Sequence, residues 1–224
     1  AEKRTESLQD LSQAVTVLTS DDLDKKQIST FVDISAIAPG VNVAKNEGFK
    51  TVITIRGVGY ETNQNAIATP SVSYHLDGIY IASPYSLQTE FMDLERIEVL
   101  RGPQGTLFGQ NSTGGAINVI TSAPSLEESS SYGDITIGDY SLIKTRASFN
   151  RPLSETLAVR ASFITHKRDG FTDNLSTGQD LDDADSISAR VRFLYQPSET
   201  FRANFTAQIF DENRNGSAQK GLLD

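Results

Sequence analysis

The sequence predicts a small α+β domain followed by antiparallel β-strands of a transmembrane β-barrel. Two observations support this fold class. Up to about residue 124 the chain is irregular, with short apolar stretches, many glycines and turn signals, whereas from about residue 131 long segments alternate strictly between apolar and polar residues. The connections between these alternating segments are short at one end and long at the other, which is typical of outer-membrane barrels.

The first part of the chain contains one convincing helix, which we expect from Ser20 to Ser29. A serine and three aspartates lie at its start, and two lysines lie toward its end, as the helix dipole favours. A second short helix is expected from Ser29 to Ile37, because Pro39-Gly40 follows it. The strand candidates in this part are Thr51 to Arg56, Ser71 to Leu76, Ile79 to Ile81, Arg96 to Arg101 and Ala116 to Thr121.

The second part of the chain contains five candidate strands. In each of them, apolar residues at every second position oppose polar residues, as in a strand with two different faces. A strand of about ten residues is also long enough to cross a bilayer when it is tilted. The five segments are Tyr132 to Ile137, Ile143 to Asn150, Leu157 to His166, Ile187 to Tyr195 and Phe201 to Ile209.

The connections between these strands favour a membrane barrel. Residues 151–156 and 196–200 form short, similar turns, whereas the connection over residues 168–186 is long. Phe149, Tyr195 and Phe201 lie beside the short turns, where an interfacial aromatic girdle is expected. A soluble β-sandwich is the alternative for the same alternation. Five strands cannot close a barrel, so we expect the 224 residues to be the first part of a longer chain.

Composition narrows the class of function. The formal charge of −9 and the scattered Lys and Arg residues argue against nucleic-acid binding. The absence of cysteine removes disulfides and thiolate metal sites. No apolar run approaches the length of about 18 residues that a spanning helix requires, so a helical membrane anchor is excluded.

The glycine-rich stretch of residues 100–121, LRGPQGTLFGQNSTGGAINVIT, raises the question of a nucleotide site. A phosphate loop needs a lysine before Ser or Thr, and none follows these glycines. The Arg56-Gly57-Val58-Gly59 segment starts like a dinucleotide fingerprint, but Thr62 stands where the third glycine belongs. Turns between strands explain the stretch instead, with Pro103 at the second position of a reversal after the strand that ends at Arg101.

These residues also carry a family resemblance. The segment LERIEVLRGPQGTLFGQNSTGGAINVITSAP resembles the signature of the plug domain of TonB-dependent outer-membrane transporters. The segments TIRG at residues 54–57 and LDGIY at residues 76–80 fall where that family has its IRG and DG segments. SLQDLSQAVTVLTSDDL resembles the family's opening strand and helix, and the strands after residue 131 resemble the first barrel hairpins.

The resemblance implies a fold and a function. In that family a barrel of twenty-two strands is filled by the N-terminal plug, which gates the barrel. We expect residues 1–124 to be the plug and residues 125–224 to be about the first five barrel strands. The implied function is active transport of a scarce ligand, such as a ferric siderophore or another bulky nutrient, across the outer membrane of a Gram-negative bacterium. The implied partners are TonB, outer-membrane lipid and the ligand.

The resemblance also implies site residues. Arg56 and Arg101 match plug arginines that lock onto barrel glutamates. The substrate-contact candidates are Tyr60, Asn63, Gln64, Ser83 and Tyr85, in loops that resemble plug apices facing the ligand. The candidate turn and gating glycines are Gly57, Gly78, Gly102, Gly105, Gly109, Gly114 and Gly115. A TonB box is expected ahead of Glu2-Lys3-Arg4, and the sequence starts at or just after its expected end.

Other sites find little support in the sequence. His75 and His166 lack neighbouring ligands at metal spacing, and the aspartates of residues 169–185 depart from the EF-hand order, so we expect no metal and no cofactor. No G-x-S-x-G elbow is present, and we expect no enzymatic activity. Two alternatives to transport stay open: a soluble β-rich module that binds carbohydrate or protein, and a natural short relative that competes with a transporter.

Overall fold

The structure is a computed structural model that describes residues 14–46, 50–59, 70–82 and 90–217. The chain divides into two compact units, Ala1–Thr121 and Ser122–Asp224. The helices are α1 (Ser20–Lys25), α2 (Phe31–Ile34) and α3 (Gly105–Phe108). The strands of the first unit are β1 (Val15–Thr19), β2 (Val41–Asn46), β3 (Lys50–Ile55), β4 (Val58–Gly59), β5 (Val72–Leu76), β6 (Ile79–Tyr80), β7 (Leu94–Arg101) and β8 (Gly115–Thr121). Those of the second are β9 (Ser130–Gly138), β10 (Leu142–Ser154), β11 (Leu157–Arg168), β12 (Thr172–Asp173), β13 (Asp180–Leu181), β14 (Ala184–Ser198) and β15 (Phe201–Glu212).

The first unit is built on two sheets and has an apolar core. One sheet has the order β1-β7-β8-β5-β6, in which only β5 and β8 are parallel, and the other has the order β2-β3-β4. Phe31 of α2 lies at the centre of the core, with edge-on ring contacts to Tyr74 and Phe91 at centroid distances of 4.9 Å each. Ile97 and Ile117 from the central strands complete this fully buried cluster.

The two helices that the sequence predicts, α1 and α2, are shorter in the structure because of the residues at their ends. Thr19 caps α1 in a reciprocal box with Asp22, and the positive φ of 54° at Gln27 follows its last turn. Thr30 forms the same kind of box with Asp33, so α2 starts at Phe31 rather than at Ser29. The α+β character is confirmed, and the helix boundaries are corrected.

Two hairpins of the first unit turn over dipeptides whose backbones both have positive φ. Arg56 and Gly57, between β3 and β4, have φ values of 53° and 77°, and Asp77 and Gly78, between β5 and β6, have 50° and 80°. These values are those of the type I′ turn, whose twist matches the twist of paired strands. The IRG and DG segments are therefore hairpin turns, and the arginine and aspartate adopt a conformation that glycine adopts more easily.

The second unit is an antiparallel sheet of five long strands in the order β15-β14-β11-β10-β9. The strands extend beyond the predicted segments and take in most of the expected short turns, so that β10 ends at Ser154 and β14 at Ser198. Register shifts between Pro152 and Ser154 and between Tyr195 and Ser198 lie beside these turns. Elsewhere the pairing from β9 to β15 is continuous, so the odd-numbered residues of all five strands share one face.

The odd-numbered face of the second unit is apolar and exposed. Ile135, Ile209 and Phe205 are 63–68% exposed, and Phe149, Tyr195 and Phe201 beside the short turns are about half exposed. The even-numbered face is mainly polar, and its buried residues include both polar and apolar side chains: Asn150, Ala158, Ser162, Ile164, Ser188, Arg190 and Leu194. A water-soluble sandwich has the opposite arrangement, with apolar side chains inside. The burial therefore argues against the soluble module and fits strands that face lipid.

Charged residues bound the exposed apolar face. Lys167 of β11 and Asp185 of β14 are paired in register on this face, at the end that carries the long connection. Arg151 of β10 lies on the same face near the short turns. The apolar face between these charges has the pattern of a lipid-facing band between two aqueous sides. Among the described residues, no helix is both long and apolar enough to cross a bilayer.

Candidate functional site

Arg56 and Arg101, the two predicted lock residues, lie close to each other in the first unit. Arg56 follows β3, where its backbone N–H donates to the Gly40 carbonyl oxygen at 2.6 Å, and its side chain is exposed. Arg101 ends β7, with its guanidinium Nε donating to the Pro39 carbonyl oxygen at 3.0 Å and Nη2 donating to the Thr16 hydroxyl at 2.6 Å. These contacts fix the direction of the Arg101 side chain.

The positive charges of Arg56 and Arg101 act on each other. Burial, and then the positive charge of Arg56, hold the pKa of Arg101 below its ordinary value. The two oxygens that Arg101 contacts are uncharged, and within the described residues neither arginine forms an ion pair. Two neighbouring cations that repel each other gain most from an added carboxylate. We refer to Arg56 and Arg101 as the arginine pair.

The predicted glycines occupy different kinds of position. Gly57, Gly78, Gly102 and Gly109 have φ values of 77–89°, as expected at turns. Gly105 instead opens α3, so it belongs to a helical turn rather than to the reversal expected around Pro103. Gly114 and Gly115 lie where the chain passes close to its neighbours: a Cβ on Gly114 would meet Val58 at 2.9 Å, and one on Gly115 would meet the carbonyl oxygen of Leu100.

The glycine-rich stretch forms a closed loop between β7 and β8. The Gly102 N–H donates to the Gly114 carbonyl at 3.1 Å, and the Gln104 N–H donates to the Ser112 carbonyl at 2.8 Å, so the two ends of the loop are held together. The Ser112 hydroxyl donates to the Gly109 carbonyl at 2.6 Å. These main-chain hydrogen bonds give the stretch a structural role that agrees with turn chemistry.

Tyr60, Asn63, Gln64, Ser83 and Tyr85, the substrate-contact candidates, lie outside the described residues. The residues around Glu2-Lys3-Arg4 also lie outside them. Tyr80, next to one of these segments, is described. Its hydroxyl accepts from Asn111 Nδ2 at 2.7 Å, and its ring lies 5.6 Å from that of His75.

A buried polar row across the first sheet was missed by the sequence interpretation. Glu98 of β7, Asn118 of β8 and His75 of β5 are in register on adjacent strands, and Glu98 and His75 are each only 4% exposed. Glu98 accepts from Arg96 Nε at 2.9 Å and from Asn118 Nδ2 at 3.2 Å. The alternation of residues within each strand was visible in the sequence. The row depends on the order of the strands in the sheet, which this alternation does not reveal.

The aspartate-rich connection over residues 169–185 is held by hydrogen bonds. Asp182 accepts from the Thr172 hydroxyl at 2.7 Å, and Asp183 accepts from the Asn215 N–H at 2.7 Å. The Arg168 guanidinium lies over the Phe171 ring, 4.9 Å from its centroid. No cluster of three or more metal-binding side chains occurs in the described part of the chain, which gives no support to a calcium site here.

Comparison with known proteins identifies the family. The family model described as the TonB-dependent Receptor Plug Domain matches residues 7–116. The pesticin receptor of Yersinia pestis is 31% identical over 171 residues, covering 74% of this chain and 24% of that protein. The ferric enterobactin receptor PirA of Pseudomonas aeruginosa is 28% identical over 261 residues, covering 96% of this chain and 34% of that protein.

A solved structure supports the same conclusion for the fold. The crystal structure of the ferric yersiniabactin uptake receptor FyuA from Yersinia pestis matches 88% of this chain with a TM-score of 0.76 and 24% identity, covering 31% of that chain. The chain therefore spans about a quarter to a third of the length of these relatives. The matched plug domain and the 31% identity to the pesticin receptor show that the chain belongs to the TonB-dependent outer-membrane receptors.

Proposed function

We propose that the protein that contains this chain takes up a scarce ligand across the outer membrane by TonB-dependent active transport. Residues 1–124 serve as the plug that gates the path, and residues 125–224 contribute the first barrel strands. The exposed apolar face of β9, β10, β11, β14 and β15 is the observation that carries this proposal, because a lipid-embedded barrel has apolar side chains on its outer face and polar side chains on its inner face. The names of the matched relatives support a ferric siderophore as the ligand.

The arginine pair has a defined role in this proposal. Arg56 and Arg101 dock the plug by binding carboxylates on barrel strands, since within the described residues neither has an ion pair. TonB engages an N-terminal box. Tyr60, Asn63, Gln64, Ser83 and Tyr85 contact the ligand at the plug surface, and the turn glycines let the plug rearrange.

The ligand class can be tested by uptake. A strain that lacks the gene is grown under iron limitation and supplied with ferric enterobactin, ferric yersiniabactin or vitamin B12, the ligands named for matched relatives. We expect uptake of labelled iron from at least one ferric siderophore to fall to background and to return with the gene. Unchanged uptake of every ligand in the deletion strain would contradict the proposal.

The docking role can be tested by charge reversal. We expect Arg101→Glu to weaken retention of the plug and to make outer membranes permeable to large antibiotics, because a carboxylate would then face barrel carboxylates. Lys25→Glu is the matched control, since Lys25 is an exposed cation of the same unit whose only described ion pair is with Asp21 at 2.6 Å. Equal antibiotic sensitivity of the two variants would exclude the docking role.

A further inference from the structure

A short connector, residues 122–129, joins β8, the last strand of the first unit, to β9. Its backbone is bound by the side-chain amide of Asn150 on β10. The Ser125 N–H donates to Asn150 Oδ1 at 2.9 Å, and Asn150 Nδ2 donates to the carbonyl oxygens of Ser125 at 3.1 Å and Glu128 at 2.6 Å. Asn150 is only 2% exposed, so these three hydrogen bonds are shielded from water.

The start of the connector is held by a second side chain of the strands. Arg192 of β14 donates from Nη1 to the Ser122 carbonyl oxygen at 3.1 Å. Arg192 and Asn150 both lie on the even-numbered, polar face. The connector is therefore bound at both of its ends to the strands of its own unit.

The residue just before the connector is held by the first unit instead. The Asp77 carboxylate accepts from the Thr121 N–H at 2.9 Å and from the Thr121 hydroxyl at 2.7 Å. The Asp77 N–H donates to the Val119 carbonyl oxygen at 2.9 Å, which ties the hairpin turn to β8. Thr121 is 2% exposed. Two consecutive residues, Thr121 and Ser122, thus belong to different hydrogen-bonded units.

Asparagine suits the connector site chemically. Its amide offers one acceptor and two donors, so it can bind an N–H and two carbonyl oxygens at the same time. An aspartate of the same size offers only acceptors and would place a negative charge against two carbonyl oxygens. The bonding pattern is therefore specific to the amide, not only to the volume of the side chain.

We propose that Asn150 and Arg192 are positioning residues that bind the connector to the strands, so that plug movement during transport stops at the Thr121–Ser122 peptide bond. The statement about plug movement rests on the transport function proposed above. The statement that the connector is bound to the strands does not depend on that function. Plug residues up to Thr121 rearrange, and residues from Ser122 onward stay with the strands.

Hydrogen exchange in the full-length receptor tests the fixing directly. We expect Asn150→Ala to speed exchange of the Ser125 amide by at least about tenfold, the equivalent of one well-made hydrogen bond. Asn150→Asp keeps an acceptor for the Ser125 N–H but loses both donors to the carbonyl oxygens of Ser125 and Glu128, so we expect a smaller acceleration at Ser125 than in Asn150→Ala. Ser148→Ala, on the same face of β10, is the control and should leave this amide unchanged. Slow exchange at Ser125 in Asn150→Ala would overturn the proposal.

Spin labels test where movement stops. The 224 residues contain no cysteine, and Glu127 in the connector and Glu155 in the β10–β11 turn are exposed, so both positions accept labelled cysteines. We expect the distance between these labels to stay the same when ferric enterobactin or ferric yersiniabactin is added. A shift in that distance would overturn the proposed boundary. If neither ligand supports uptake, the transport proposal fails for them, and the exchange experiment still decides whether the connector is fixed.

Discussion

Gly115 shows why a glycine cannot be interpreted from its neighbours in sequence alone. The sequence assigns it to a turn, but it is the first residue of β8 and has a φ of 151°. A Cβ at this position would meet the backbone carbonyl of Leu100 and would lie 2.7 Å from Ile55 Cδ1. The carbonyl oxygen cannot move without breaking the pairing of β7 with β8. The glycine is required by close approach as well as by backbone conformation.

We expect Gly115→Ala to lower the free energy of unfolding of the first unit by more than about 2 kcal/mol, because strain and a backbone clash combine. Gly105→Ala is the matched control, since nothing lies within 4 Å of its Cβ position and its φ is not positive. Denaturant unfolding followed by circular dichroism measures both. Equal stability of the two variants would show that the sheet accommodates the methyl group.

Thr19 and Asp22 give a prediction that depends on pH. The hydrogen bond from the Thr19 hydroxyl, and then that from its backbone N–H, hold the pKa of Asp22 below its usual range. Since the folded pKa is below the unfolded one, this cap stabilises α1 above the unfolded pKa, and the contribution is lost as pH falls through the folded pKa. We expect Thr19→Ala to raise the pKa of Asp22 in a carboxyl titration by NMR. Ser20→Ala should leave it unchanged, and a common shift in both variants would exclude the cap as the cause.

At the scale of elements, periodicity predicts strands well and their ends poorly. Alternation located all five long strands, because each side chain must face one of two different environments. The strand candidates left out β2 and the two-residue strands β4, β12 and β13, and the predicted helix from Ser20 to Ser29 ran past Gln27, whose backbone ends it. The sequence interpretation also placed turns over residues 151–154 and 196–198, which belong to the ends of β10 and β14, because a bulged strand end and a turn have similar composition.

Because the odd-numbered face is exposed, we expect a lysine substitution to have very different effects on stability on the two faces of β15. Ala207 pairs with Val191 at the middle of the apolar face, whereas Asn204 lies on the polar face. We expect Ala207→Lys to destabilise the full-length protein in lipid vesicles by about 2–4 kcal/mol, the cost of a cation near the bilayer centre. Asn204→Lys is the control and should have little effect. The difference is measured by urea unfolding in vesicles, and equal costs would contradict a lipid-facing role for the odd-numbered residues.

At the scale of the molecule, the two units follow opposite rules for apolar side chains. The first unit buries them around Phe31, whereas the second buries a few, such as Ile164 and Leu194, and exposes many large ones on its odd-numbered face. The pattern of the sequence changes between about residues 124 and 131, close to the division of the chain at residue 122. The polar row and the connector contacts were not predictable, because they require knowing which strands are neighbours and which side chain reaches across.

We expect Phe31→Ala to cost about 3–5 kcal/mol, because it leaves a cavity between Tyr74 and Phe91. The loss should be confined to the first unit, whose apolar core Phe31 belongs to. Hydrogen exchange of the full-length protein should therefore show faster exchange before residue 122 and unchanged exchange in β10, β11 and β14. Phe205→Ala, whose ring is 63% exposed, is the control for loss of a phenyl group. Faster exchange throughout both units in Phe31→Ala would contradict separate cooperative units.

Apart from the two shifts beside the short turns, the register of the five long strands is continuous, and this constrains how the gene can change in length. If one codon were inserted or deleted inside any of these strands, every later residue of that strand would move to the opposite face of the sheet. Two codons would preserve the sides and only slide the pairing. Among diverged copies of the gene, length differences should therefore accumulate in the connections, and any that occur within strands should come in even numbers of residues.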